Sequence, residues 1–257
     1  MGDNKSIEPV MNNGYFLDER FVIKDGKTHP VAIICPGGGY EIVASFVEGT
    51  PIAEVLNKQG ISAFIVHYRV KPEARFPAPM DDLARAVKAV FEKAEEYHLD
   101  MRTYSVWGSS AGGHLAASFG IAQTGYQKYG LPKPRTIVLL YPVVSMRRAL
   151  AHLGSRQNLL GDNPPEDLIR LTSIDENVTP DYPPCYFWCG KNDKTVNPEN
   201  AVRLDKALAQ AGVAHSFTLY ENAPHGVGIG TGTDAEGWIS SAVAFWMKQT
   251  TCNRLQN

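Results

Sequence analysis

Three residues stand in an order that nucleophilic acyl chemistry can use. Ser110 is the centre of Gly108-Ser109-Ser110-Ala111-Gly112, Asp193 closes the stretch GKND, and His225 lies in ENAPHGVG. A serine hydroxyl is a weak nucleophile until an imidazole takes its proton. A carboxylate on the other ring nitrogen then fixes the imidazole's tautomer and stabilises its charged form. The G-x-S-x-G spacing has a mechanical reason too. A strand turning sharply into a helix crowds the positions two before and two after the turn, and glycine there lets the hydroxyl stand out above the sheet. Centring the pattern on Ser109 fails, because Trp107 and Ala111 would occupy the glycine positions.

Attack on an ester or amide also creates a negative oxygen, which preorganised N–H groups must hold. The amide of Ala111, directly after the serine, is one expected donor, and a loop after an early strand should supply others. CPGGGY, residues 35–40, is such a loop. Consecutive glycines let backbone amides turn toward a ligand without side-chain obstruction. A phosphate loop is excluded, since no Gly-Lys-Ser/Thr follows and Ile42 stands where the dinucleotide fingerprint needs glycine.

Competing residues have simpler explanations. His114 lies on the helix expected to follow Ser110 and should pack against the sheet or cap a loop, and His67 precedes the motif, against the order Ser, Asp, His. Asp205 and Asp181 lie outside strand-end loops of the right kind, and Asp162 falls in an irregular segment.

The elements that must position these residues are legible as alternating strands and helices. Apolar runs at 31–37, 61–68, 103–108, 136–143, 184–190 and 215–220 read as strands, nearly continuous in apolar character as strands covered on both faces should be. In 79–97, Leu83, Val87, Phe91 and Ala94 share a helical face, and Trp238, Ala242, Phe245 and Trp246 do so near the C-terminus. This alternation implies an α/β architecture whose strand-end loops open on one rim, where Ser110, Asp193, His225 and the glycine loop would meet. The proline-bearing region 144–183 reads as an insertion between strands, so residues 1–257 are expected to form a single domain.

Composition narrows the partners. The chain has 257 residues, 44% hydrophobic and 20% charged, with net charge −2 and no basic stripe, which argues against nucleic acid or an anionic membrane. No apolar run spans a bilayer and the N-terminus lacks a secretory pattern, so a cytoplasmic location is expected. Cys185 and Cys189, four residues apart on one strand, would have Cα atoms ~13 Å apart, too far for a disulfide. Cys35 and Cys252 are scattered, so free thiols are expected, and the histidine spacings suggest no zinc site. No cofactor is expected.

These motifs resemble a known family. GSSAGGHLAA resembles the GDSAGG element of hormone-sensitive-lipase-like esterases in the α/β-hydrolase superfamily. YRVKPEARFPAPMDDLARAV (68–87) resembles their YRLAPE…FPA…D segment, and CPGGGY their HGGG loop. The form CPGGGY with GSSAGGHLAA is especially similar to that of small bacterial sugar-ester hydrolases, acetyl xylan esterases among them. The resemblance implies an α/β-hydrolase fold, with a mostly parallel central sheet, helices on both faces and a small cap insertion. It assigns Ser110, Asp193 and His225 to the triad and Gly38, Gly39 and Ala111 to the oxyanion donors, with Gly37 as a further candidate donor; Gly37 and Tyr40 are also expected to contact substrate. Pro36 replaces the family's histidine, so the loop must be anchored differently. About 30 residues precede the first expected core strand, too few for a long helical cap. The expected activity is hydrolysis of short acyl esters, acetyl above all, of a carbohydrate. Arylformamidase-like or peptidase-like hydrolysis and a non-catalytic binding protein are the alternatives. Arg69 is expected to pair internally with Asp81 or Asp82, and the oligomer is left open, a homodimer included.

Overall fold

A computed structural model describes residues 15–252. Its elements run β1 (Phe16–Phe21), β2 (Val31–Cys35), α1 (Ser45–Glu48), α2 (Thr50–Lys58), β3 (Ser62–His67), α3 (Ala78–Glu92), β4 (Ser105–Ser109), α4 (Ser110–Phe119), β5 (Thr136–Leu140), α5 (Leu153–Leu160), α6 (Glu166–Thr172), β6 (Cys185–Gly190), α7 (Glu199–Gln210), β7 (His215–Tyr220) and α8 (Trp238–Cys252). The strands form one seven-stranded sheet in the order β1-β3-β2-β4-β5-β6-β7. β1 pairs antiparallel with β3, and the other pairings are parallel.

Every residue of β2, β4, β5 and β6 is buried. Strands so covered need helices on both faces of the sheet. α3 packs on α4 in one group, while α2 touches α8 in another. β7 has a partner strand on one side only, and most of its residues are half-buried.

The sequence-based strands all form, with shifted ends. The run at 136–143 stops as a strand at Leu140, because Tyr141 takes the left-handed φ of 36° and Pro142 follows. The helix expected over 79–97 ends at Glu92. β1 was not anticipated: its sequence FLDERF carries three charges in a row. Asp18 is nevertheless buried, because Arg20 donates to both of its carboxylate oxygens.

All four tryptophans gather at the sheet. Trp107 of β4, Trp188 of β6 and Trp238 and Trp246 of α8 have ring centroids 5.8–6.1 Å apart in successive pairs. The Trp238 indole N–H donates to Gly228 O at 2.9 Å and that of Trp246 to Thr103 O at 2.7 Å. The same tryptophans therefore fill the core and tie α8 to two loops. Arg69 finds Asp82, not Asp81: its Nε lies 2.8 Å from Oδ2 and its backbone N–H donates to the same oxygen. Asp81 instead accepts from Tyr129 Oη at 2.7 Å. Cys35, Cys185 and Cys189 are free and buried, while the side chain of Cys252 lies outside the described residues.

Candidate active site

Ser109 ends β4 in extended geometry, and Ser110 enters α4 with φ of 53°, a left-handed value costly for a residue with a Cβ. Glycine makes that corner sterically feasible. A Cβ on Gly112 would collide with the carbonyl oxygens of Cys35 and Pro36, and one on Gly108 with the Gly112 carbonyl. The corner is thus packed directly against the glycine loop.

The structure brings Ser110, His225 and Asp193 into one hydrogen-bonded chain. His225 Nδ1 lies 2.7 Å from Asp193 Oδ2, and its Nε2 lies 2.9 Å from Ser110 Oγ. A carboxylate can only accept, so the ring proton sits on Nδ1. The lone pair on Nε2 then faces the serine hydroxyl. Asp193 is itself held: Oδ1 accepts the backbone N–H groups of Thr195 and Val196 at 2.8 and 3.0 Å, and its side chain is 1% exposed. With both oxygens engaged, the carboxylate cannot swing away without leaving buried donors unpaired. The His225 ring rests on Tyr141, with centroids 4.6 Å apart. Such an arrangement can activate the serine hydroxyl as a nucleophile and return a proton to a leaving group.

Beside the serine, Gly38 and Gly39 have φ of 122° and 68°. The loop is tightened by Glu41 and Ile42 N–H groups donating to Gly38 O at 3.0 and 3.1 Å. Gly38, Gly39, Ser110 and His225 line a cavity of about 310 Å³. Ala111 follows in the first turn of α4, where amides have no intrahelical acceptor.

Two expected contacts go elsewhere. Gly37 donates its N–H to Glu48 Oε2 at 2.7 Å, so that amide is not offered to the cavity. Tyr40, expected against substrate, is fully buried and donates its hydroxyl to His114 Nδ1 at 2.8 Å. His114 Nε2 donates in turn to Thr172 O at 2.7 Å. That imidazole is therefore neutral, and burial pulls its pKa down to about 4. This pair anchors the end of the glycine loop, while Tyr68 Oη donates to Pro36 O at its start at 2.6 Å. His67 meets Ser45, Asp205 pairs with His215, Asp181 accepts from Tyr126 and Lys133, and Asp162 accepts from Gln157.

Sequence reasoning missed four residues here. His152 and Asn158, from the segment between β5 and β6, line the cavity, and Asn158 Nδ2 donates to Gly39 O at 3.0 Å. Glu48 and Tyr141 meet behind the site, with Tyr141 Oη donating to Glu48 Oε1 at 2.8 Å. The available signals were an acidic residue ending the apolar stretch ASFV and an aromatic just past a strand. Among the described residues no cluster of His, Cys, Asp and Glu is arranged to hold a metal ion.

A mostly parallel sheet with a sharp serine corner after β4, and with Asp193 and His225 in the loops after β6 and β7, has the form of an α/β-hydrolase. Within that class the chain belongs to the BD-FAE family, whose profile matches residues 21–208. The acetyl ester-xyloside bifunctional hydrolase of Caldicellulosiruptor lactoaceticus superposes with a TM-score of 0.82 at 30% identity, covering 91% of this chain and 87% of that one. An acetylxylan esterase of Xylanibacter ruminicola is 30% identical over 217 residues, or 83% of this chain and 44% of that protein. Endo-1,4-beta-xylanase B of Butyrivibrio fibrisolvens is 28% identical over 239 residues, 90% of this chain and 37% of that protein. The chain thus spans less than half the length of these two curated relatives.

Proposed function

We propose that the protein is a carboxylic ester hydrolase that removes acetyl or another short acyl group from a carbohydrate through an acyl-enzyme. In this reading Ser110 Oγ attacks the ester carbonyl while His225 Nε2 takes its proton. The amides of Gly38, Gly39 and Ala111 receive the charge that develops on the carbonyl oxygen. His225 then gives the proton to the departing sugar oxygen. Water, deprotonated by the same imidazole, releases the acid and restores Ser110. The residues described act as one unit, with 144–183 as a partial cover.

The observation that carries this reading is the unbroken chain from Asp193 through His225 to Ser110. The carbohydrate part draws its support from the cavity and the relatives. About 310 Å³ takes a small acyl group, and polar His152, Asn158 and Thr195 stand around it. Relatives and structural neighbours include proteins named for acetylxylan and acetyl ester–xyloside hydrolysis.

Acetate release from acetylated xylo-oligosaccharides and monoacetyl sugars tests the reading, with 4-nitrophenyl acetate as the simple ester. Ser110→Ala should lower turnover about a million-fold and abolish fluorophosphonate labelling. Decanoate cleaved much faster than acetate would refute the short-acyl assignment. Faster release from N-formylkynurenine than from any ester would favour an amide hydrolase. A native protein that neither labels nor turns over would be a binding protein.

A further inference from the structure

Glu48 is a carboxylate beside the candidate active site that the reaction above does not use. It is 4% exposed, yet it lines the cavity with Ser110 and His225. No lysine or arginine among the described residues pairs with it. Both of its oxygens face donors: Oε2 takes the Gly37 N–H at 2.7 Å and Oε1 the Tyr141 hydroxyl at 2.8 Å. The Tyr141 oxygen also accepts the Gly228 N–H at 3.1 Å, which leaves its own proton available to Glu48. With a donor facing each oxygen, the arrangement suits the anion. Burial pushes the Glu48 pKa up, opposed by the two hydrogen bonds and by proximity to His225.

One side chain therefore joins three segments that the sheet brings together: the glycine loop, the end of β5 and the loop carrying His225. Taking up the Gly37 N–H orients that peptide just before Gly38 and Gly39, which line the cavity with Ser110. Through Tyr141, whose ring lies against His225, the Glu48 carboxylate comes near enough for its charge to act on the imidazole.

We propose that Glu48 is a positioning residue of this site: as an anion it holds the glycine loop in its donor-presenting shape and, across Tyr141, stabilises the positive charge that His225 acquires during the reaction. The inference rests on the esterase reading, since it needs Ser110 and His225 to be the reacting pair. The groups facing His225 are Asp193, Tyr141, Glu48 and, across the cavity, His152. Those facing Glu48 are Tyr141, His225 and the buried Tyr68.

The test is Glu48→Gln, assayed on 4-nitrophenyl acetate from pH 5 to 9. Glutamine keeps the size and an acceptor for Gly37 but removes the charge. The expected result is a kcat lowered roughly 10- to 100-fold, with KM within about threefold. The acid limb of kcat/KM should move to lower pH, because losing a nearby anion makes the imidazolium easier to deprotonate. Tyr141→Phe leaves the Gly37 contact in place but removes the hydrogen bond that favours the Glu48 anion, so it should move the same limb in the same direction by a smaller amount, and it serves if the glutamine variant does not fold. A glutamine variant with wild-type kcat, or a slower one whose acid limb does not move, would overturn the proposal and leave Glu48 a packing residue. Turnover that persists in Ser110→Ala would overturn the esterase reading and this inference together. Ser110-dependent turnover with an unaltered Glu48→Gln profile would overturn the inference alone.

Discussion

Acidification should weaken the fold through one buried imidazole before most carboxylates are protonated. His114 is 2% exposed and neutral, accepting from Tyr40 and donating to Thr172. Its pKa falls from the ordinary 6.5 to about 4 on folding, chiefly by burial. A histidine depressed in this way contributes stability in full above pH 6.5, where it is neutral in both states. The contribution is lost as the unfolded chain gains a proton that the folded one refuses, over the window from pH 6.5 down to 4. At about 1.4 kcal/mol per unit of difference, the loss between pH 7.5 and 4.5 is about 2.5 kcal/mol. His114→Gln keeps a donor and an acceptor but does not titrate. Urea denaturation of both proteins at the two pH values should show the wild type losing about 2.5 kcal/mol more than the variant, at unchanged denaturant slope. Parallel losses would mean that His114 takes up its proton in the folded state at ordinary pH, and the argument from burial would be wrong.

Further tests address the corner and the thiols. At Gly37 a Cβ would lie 2.5 Å from Glu48 Oε2 and 2.9 Å from both Ser109 O and Ser110 Cβ. Gly37→Ala should therefore cost about 1–3 kcal/mol in stability and lower kcat about 100-fold, read by thermal melts and ester turnover; a fully active variant would show the loop to be pliant. Cys35, Cys185 and Cys189 are buried, with thiol pKa values pushed up, that of Cys189 to about 12. Titration with a chromogenic disulfide at pH 8 should detect at most one thiol in the native protein and all four in urea.

The parts legible in the sequence are those set by local rules. The run VAIIC, the glycines around Ser110 and the strand-end positions of Asp193 and His225 all carry period or spacing, and each takes the place that pattern implies. β1 escaped notice because its burial depends on Arg20 folding back over Asp18, which no apolar alternation announces. Tyr40 was misplaced for the opposite reason. Its neighbourhood to the glycine loop suggested a substrate contact, while its actual partner lies 74 residues away on α4. Glu48 and Tyr141 are 93 residues apart and become partners only when the sheet closes their loops together. Long-range pairing of this kind leaves no periodic trace.

The position of β7 at the sheet margin sets an order of failure. Ser110 sits after β4, flanked by strands on both sides, whereas His225 follows a strand held along one edge. Partial loosening of that margin would withdraw His225 while the serine corner stayed assembled. Under the proposed mechanism such a protein falls silent by losing its base first and recovers when the outer strand zips back, so catalytic output would report on the rim of the molecule sooner than on its centre.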